Sequence, residues 1–134
     1  MVNDSETFPV RSGEDVVKAR QVVRSRAMEA GFSLVEQTKI VTAASELARN
    51  TVIYGGGGEM RIERLDNGRK RIGLRLTFED KGPGIPDIEL ALRDGYTSGT
   101  GLGLGLNGAR KLSHEFDIKS APGQGTRVTI TRWK

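Results

Sequence analysis

Two stretches of helical periodicity open the chain. Val16, Ala19, Val23, Ala27 and Ala30 recur at intervals that line one side of a helix, with Ser12 and Asp15 as a capping signal before them and Gly31 to end them. Ser33 and Glu36 repeat that opening for a second helix. There Ile40, Ala44, Leu47 and Thr51 stack with Val41 and Ala48 beside them, up to Tyr54 and a run of glycines. The period then changes to two. Met60 and Ile62 alternate with polar neighbours, Asp66-Asn67-Gly68 supplies a turn, and Ile72, Leu74, Leu76 and Phe78 alternate without a fault, which predicts a hairpin with one buried face. Phe8 to Val10 reads as a short strand, Asp87 to Arg93 as a brief helix, and Leu106, Ala109 and Leu112 as a helix after glycine-rich sequence. Phe116 and Ile118 begin another strand, and Thr126 to Trp133 form the last, with Val128 and Ile130 facing inward. Helices first, then strands, with one helix set between strands, predict an α+β sandwich with helices on one face of a mixed sheet.

Composition narrows the function classes. The 134 residues fit one domain, so residues 1–134 are read as a single unit. There is no cysteine and one histidine, which argues against disulfides, thiolate metal sites and zinc. The first nine residues are polar and acidic, and no run approaches the length of a membrane span, so the expectation is a cytoplasmic protein that does not engage a membrane. Twenty-one basic against 17 acidic residues leave a net charge of +4, which suits an anionic ligand. Scattered cations and only 5% aromatic residues exclude a base-stacking nucleic-acid surface. Most of the 18 glycines fall in three clusters, Gly55 to Gly58, Gly82 with Gly84, and Gly99 to Gly108, and each separates periodic segments as a functional loop would.

Three short patterns carry chemistry. Glu46 and Asn50 stand four apart on the second helix and leave it one turn above the other, off the edge of the apolar stripe. A carboxylate there can orient a hydroxyl or water, and an amide oxygen can coordinate magnesium. Alone, such a pair is more often a solvated polar face. Asp80-Lys81-Gly82-Pro83-Gly84 ends a strand with an acid able to accept from an exocyclic amine such as that of adenine, while two glycines let a flat base approach the backbone. A tight turn accounts for the glycines but not for the terminal acid. Gly99-Thr100-Gly101-Leu102-Gly103-Leu104-Gly105 runs into a helix and offers bare N–H groups to phosphates. No convincing strand precedes it and no Walker lysine follows, so the dinucleotide-fold reading fails.

In that order, and on those elements, the patterns resemble the N, G1 and G2 boxes of the gyrase, heat-shock chaperone, histidine kinase and MutL (GHKL) ATPase superfamily. Within it the chain is similar to small anti-sigma-factor-like serine/threonine switch kinases of the bacterial stressosome. The stretches Ser45 to Asn50, Glu79 to Ile88, Asp94 to Gly99, Gly125-Thr126 and Trp133-Lys134 carry that likeness. The resemblance implies a Bergerat-type two-layer sandwich, ATP with Mg2+, Glu46 as catalytic base, Asn50 as magnesium ligand and Asp80 as adenine anchor. Gly82, Gly84 and Ile85 would line the base pocket, Gly99 to Gly105 the phosphates, and Thr129 would approach adenine. Related kinases tend to carry a lid arginine near the terminal phosphate, whereas Thr97 to Gly105 holds no Lys or Arg. Arg49, Lys81 and Arg93 are the candidate substitutes, each more often a plain surface cation. The implied partners are STAS-domain proteins as phosphate acceptors and a serine phosphatase activated by docking, with room for a weak homodimer. The competing reading is an anti-sigma factor that sequesters a sigma subunit. A clamp ATPase would need further domains. His114 follows the glycine-loop helix and not a helical dimerisation segment, so it reads as a surface residue, and Trp133 as a packed or capping aromatic at the sheet edge.

Overall fold

The computed structural model describes residues 2–69, 71–85, 88–92 and 105–134. The elements run β1 (Val2–Val10), α1 (Gly13–Glu29), α2 (Leu34–Ile53), β2 (Gly58–Asp66), β3 (Ile72–Asp80), α3 (Ile88–Ala91), α4 (Gly105–Lys111), β4 (Glu115–Ser120) and β5 (Thr126–Trp133). Both long helices begin as their caps dictate. The Ser12 side chain accepts from the Asp15 N–H, and Ser33 and Glu36 form a reciprocal capping box that satisfies two otherwise orphaned donors. Gly31 takes a left-handed φ of 84°, a conformation that stops α1 at little cost only for glycine.

The five strands form one sheet in the order β1-β2-β3-β5-β4. Among the described residues every ladder is antiparallel, so the sheet there is not mixed as the sequence pattern predicts. The reason is the insertion of β5. β3 and β4 run in the same direction, as strands joined through a helix do, but β5 turns back by a short connection and lies between them. The first strand extends from Val2, well before Phe8. It is an edge strand paired only with β2, and its polar residues carry little of the alternation that marks a half-buried strand.

One face of the sheet is apolar. Met60, Ile62, Leu74, Leu76, Phe78, Val128 and Ile130 are buried there. Ala19, Val23 and Ala27 of α1, and Ile40, Ala44, Leu47 and Ala48 of α2, belong to the same buried cluster, with α2 lying across β3 and against α4. Alanines on the inner side of both helices let them lie close together over the strands. The outer sheet face carries charged and hydroxyl side chains. No helix among the described residues is long and apolar enough to cross a membrane.

Candidate functional site

Glu46 comes from the inner side of α2. It is only 2% exposed, deeper than its place at the edge of the apolar stripe suggests. Its Oε1 lies 3.5 Å from the Arg49 guanidinium one turn on, and the Arg49 side chain is 31% exposed. A buried carboxylate needs a compensating partner, and Arg49 bridges it to the surface. Asn50 is half-buried, one turn beyond Glu46. Its carbonyl accepts the N–H groups of Tyr54 and Gly55, so the turn that ends α2 starts from this residue.

That turn reaches Asp80. Asp80 ends β3 with Gly58 of β2 on one side and Thr126 of β5 on the other. Its Oδ1 accepts the Gly82 N–H at 2.9 Å, which fixes the carboxylate while its loop turns away. A methyl group at Gly55 would collide with the carboxylate itself, one at Gly58 with the Glu79 carbonyl, and one at Gly125 with the Asp80 carbonyl, all well inside 3.0 Å. Gly82 in turn backs onto Gly55, where a methyl would fall 2.8 Å from its Cα. Three separate connections therefore pack at backbone distance around one acid.

The loop after β3 is fastened to the turn before β5. The Ile85 N–H donates to Ser120 Oγ at 2.8 Å and the Gly123 N–H to the Pro83 carbonyl at 2.7 Å, and Ser120 Oγ also lies 2.9 Å from Thr126 Oγ1. Gly84, at φ 80°, has its α-carbon against the Ala121 carbonyl, where any side chain would clash. Ile85 packs against the core. This fastening fixes the loop, and the glycines at 82 and 84 lie where any side chain would strike Gly55 or Ala121.

Asn50, Asp80 and Gly82 thus meet through Gly55 at the end of α2, Glu46 and Arg49 lie earlier on that helix, and Gly84 and Ile85 continue the loop after Asp80 toward Ser120 and Ala121. Thr129 does not join them. It is paired with Thr77 on the outer face, their hydroxyls 3.5 Å apart, because strand alternation puts odd positions of β5 opposite the side that Asp80 faces. Thr126 is the β5 residue directly across from Asp80. Gly99, Thr100, Gly101, Leu102, Gly103, Leu104 and Arg93 lie outside the described residues, while Gly105 opens α4, whose Leu106 and Ala109 are buried. Lys81 is exposed. Among the described residues no cluster of three or more His, Cys, Asp or Glu could hold a metal, so a magnesium ion would rely on Asn50, with Glu46 near, and on the phosphates of its ligand. The reading from sequence missed Thr126 and Ser120 and the closeness of Gly55 and Gly125. The Gly125-Thr126 step and the glycine run after α2 were visible signals, whereas Ser120 gave none.

Residues 35–134 match the family described as histidine kinase-, DNA gyrase B- and HSP90-like ATPase. The chain is 44% identical over 133 residues to the serine/threonine-protein kinase RsbT of Bacillus subtilis, covering 98% of each chain. It is 31% identical over 121 residues to the anti-sigma F factor of a Thermoanaerobacter species, covering 86% of this chain and 82% of that one. Among solved structures, the RsbU and RsbW domains of Rv1364c from Mycobacterium tuberculosis superpose with a TM-score of 0.63 at 19% identity, over 98% of this chain and 33% of that longer one. The mycobacterial sensor histidine kinase MprB gives a TM-score of 0.58 at 20% identity over 97% of both chains, a likeness of fold.

Proposed function

This chain belongs to the histidine kinase-, DNA gyrase B- and HSP90-like ATPase family, and on that premise we propose that it is an ATP-dependent serine/threonine protein kinase acting as a regulatory switch. The observation that carries the reading is the glycine enclosure of Asp80 at the end of α2. It fixes one carboxylate among close-packed backbone, at the turn that follows the helix bearing the buried Glu46. Adenine would donate its exocyclic amine to Asp80 and lie along Gly82 and Gly84. Asn50 would hold the magnesium ion, which supplies charge neutralisation at the phosphates when bound.

In the proposed transfer, the hydroxyl oxygen of a protein Ser or Thr bonds to the terminal phosphorus of ATP. The bond from that phosphorus to the bridging oxygen breaks, ADP leaves, and the hydroxyl proton passes to the Glu46 carboxylate. Arg49 holds that carboxylate in place and is the nearest described cation to it. The acceptors in this reading are STAS-domain proteins, and the released chain docks on and activates a serine phosphatase. The setting is the cytoplasm, where ATP is available. The 31% identity to an anti-sigma F factor supports a second reading, sequestration of a sigma subunit under nucleotide control. Co-purification against a sigma factor, a STAS protein and a phosphatase separates the two.

Labelled ATP, magnesium and a STAS-domain protein give the direct test. The unaltered chain should form phosphoserine or phosphothreonine. Glu46→Gln should bind ATP normally yet transfer about 10²- to 10⁴-fold more slowly, the usual contribution of a general base. Asp80→Asn should lose nucleotide affinity instead. Absence of any phosphorylated acceptor with the unaltered chain, or full activity in Glu46→Gln, refutes the kinase reading.

A further inference from the structure

A short pattern occurs twice on the outer face of the sheet, and the nucleotide site uses neither copy. Arg75-Leu76-Thr77 lies on β3 and Arg127-Val128-Thr129 on β5, and the ladder sets Thr77 directly opposite Thr129. Because the strands are antiparallel, the two arginines fall on opposite sides of the threonine pair, Arg75 across from Thr131 and Arg127 across from Glu79. Leu76 and Val128 are buried on the inner face, so strand alternation puts all four polar residues on the outer one. The result is a cradle with approximate two-fold symmetry, two hydroxyl residues at its centre and an arginine on either side. It coincides with a shallow depression of about 250 Å³ that is lined only by charged and hydroxyl side chains.

We propose that this cradle binds a single phosphoryl group, carried either by a phosphate monoester or by inorganic phosphate. Arg61 and Lys119 join the two arginines in the lining, against Glu63 and Asp117, so four cations meet two acids and the net charge is +2. Glu63 is already committed, since Arg75 holds it through Nε and Nη2 at 2.9 and 3.0 Å, and Arg75 Nη1 stays uncommitted among the described residues. Arg127 meets Glu79 only at 3.7 Å, with both side chains well exposed, an ion pair that contributes little and opens readily. The Thr77 and Thr129 hydroxyls are 3.5 Å apart, so at most one of their protons lies between them and the other is free to donate. A tetrahedral dianion has enough acceptor oxygens to take a hydroxyl and two guanidinium groups together, each bond to a guanidinium being charge-assisted. The lining has no aromatic ring on which a base could stack. Exposed Glu59, Glu79, Glu115 and Asp117 surround the cradle and repel a polyanion, which leaves a lone phosphoryl group as the fitting ligand. Asp117, directly across from Thr129, opposes that ligand's charge, so the site can be tested by gain as well as by loss.

Heteronuclear NMR of the full chain reads the site directly, with titrations at constant ionic strength because screening alone disturbs exposed pairs. The probes are inorganic phosphate, a peptide bearing one phosphoserine, and the same peptide without phosphate. The first two should shift the Thr77 and Thr129 amides saturably and the third should not. A phosphopeptide that binds about tenfold or more tightly than inorganic phosphate identifies a protein-borne phosphoryl group as the ligand, and any smaller ratio identifies free phosphate. Arg127→Gln should weaken binding about tenfold or more, the size of a lost charge-assisted bond, whereas Asp117→Asn should strengthen it by removing a repulsion. Unfolding does not produce a gain in affinity, so the second variant guards the first. No saturable shift at Thr77 and Thr129 with either phosphate probe overturns the proposal. So does an equal response to the unphosphorylated peptide, or an Arg127→Gln chain that binds like the unaltered one. ATP binding is measured alongside and should be the same in both variants, because neither residue belongs to the groups around Asp80 and Glu46; the kinase reading thus stands or falls separately.

Discussion

At Gly55 the requirement for glycine comes from proximity and not from backbone conformation. Its α-carbon sits where any methyl would strike the Asp80 carboxylate, whereas Gly56, next to it, has a left-handed φ of 72° and open space around its α-carbon. The two residues should therefore fail differently. Gly55→Ala is expected to displace the carboxylate and weaken nucleotide binding about 10- to 100-fold, the size of a lost charged hydrogen bond, together with about 1–3 kcal/mol of stability for the overpacking. Gly56→Ala should cost about 1 kcal/mol through backbone strain and leave affinity intact. Calorimetric titration with ATP and urea denaturation of both variants check this. Glycine richness was legible in the sequence, but which glycine touches the acid was not, because Gly55 and Asp80 lie 25 residues apart and meet only through the β2–β3 register.

Elements position the site through their ends. The loop after β3 keeps few hydrogen bonds of its own and is held by the turn between β4 and β5, chiefly through Ser120. Ser120→Ala leaves the Ile85 N–H without its acceptor, at a cost of about 1–3 kcal/mol. The expected outcome is faster hydrogen–deuterium exchange at the Ile85 amide and weaker ATP binding, with the amides of α1 exchanging as before. The helices and the β2–β3 hairpin were readable from periodicity and caps, since both depend on neighbours in sequence. The partner of the loop was not, because a serine gains that role only when β4 and β5 bring it 35 residues back along the chain.

At the scale of the whole molecule, Glu63 and His114 join Glu36, held below its ordinary value by the Ser33 N–H of the α2 capping box, in coupling folding to pH. Two bonds from Arg75, outweighing desolvation, hold the Glu63 carboxyl below its ordinary value of 4.5. Desolvation, with Arg132 and Arg71 nearby, pulls His114 below its ordinary 6.5, and its neutral Nδ1 accepts the Trp133 N–H at 2.8 Å. In both cases the folded state binds the proton less readily than the unfolded one, so stability is fully present above the ordinary value and lost as pH falls toward the lowered one. Thermal unfolding should therefore show a first decline on acidification below about pH 6.5 and a second below about 4.5. His114→Gln should flatten the first and Glu63→Gln should reduce the second. Circular dichroism melts between pH 7.5 and 3.5 provide the measurement. A first decline that persists unchanged in His114→Gln contradicts the assignment.

Local patterns by themselves determined the two capped helices, the hairpin and the last strand, and singled out Glu46, Asn50 and Asp80 as candidates, because helix and strand periods and short motifs are set by residues close in sequence. The tertiary structure decided the rest. It placed β5 between β3 and β4, making the sheet antiparallel, and by strand parity turned Thr129 to the outer face and Thr126 toward Asp80. Those outcomes depend on which strands become neighbours and in which register. That choice is made by burial of the shared apolar face, a property of the assembled layers and of no single segment.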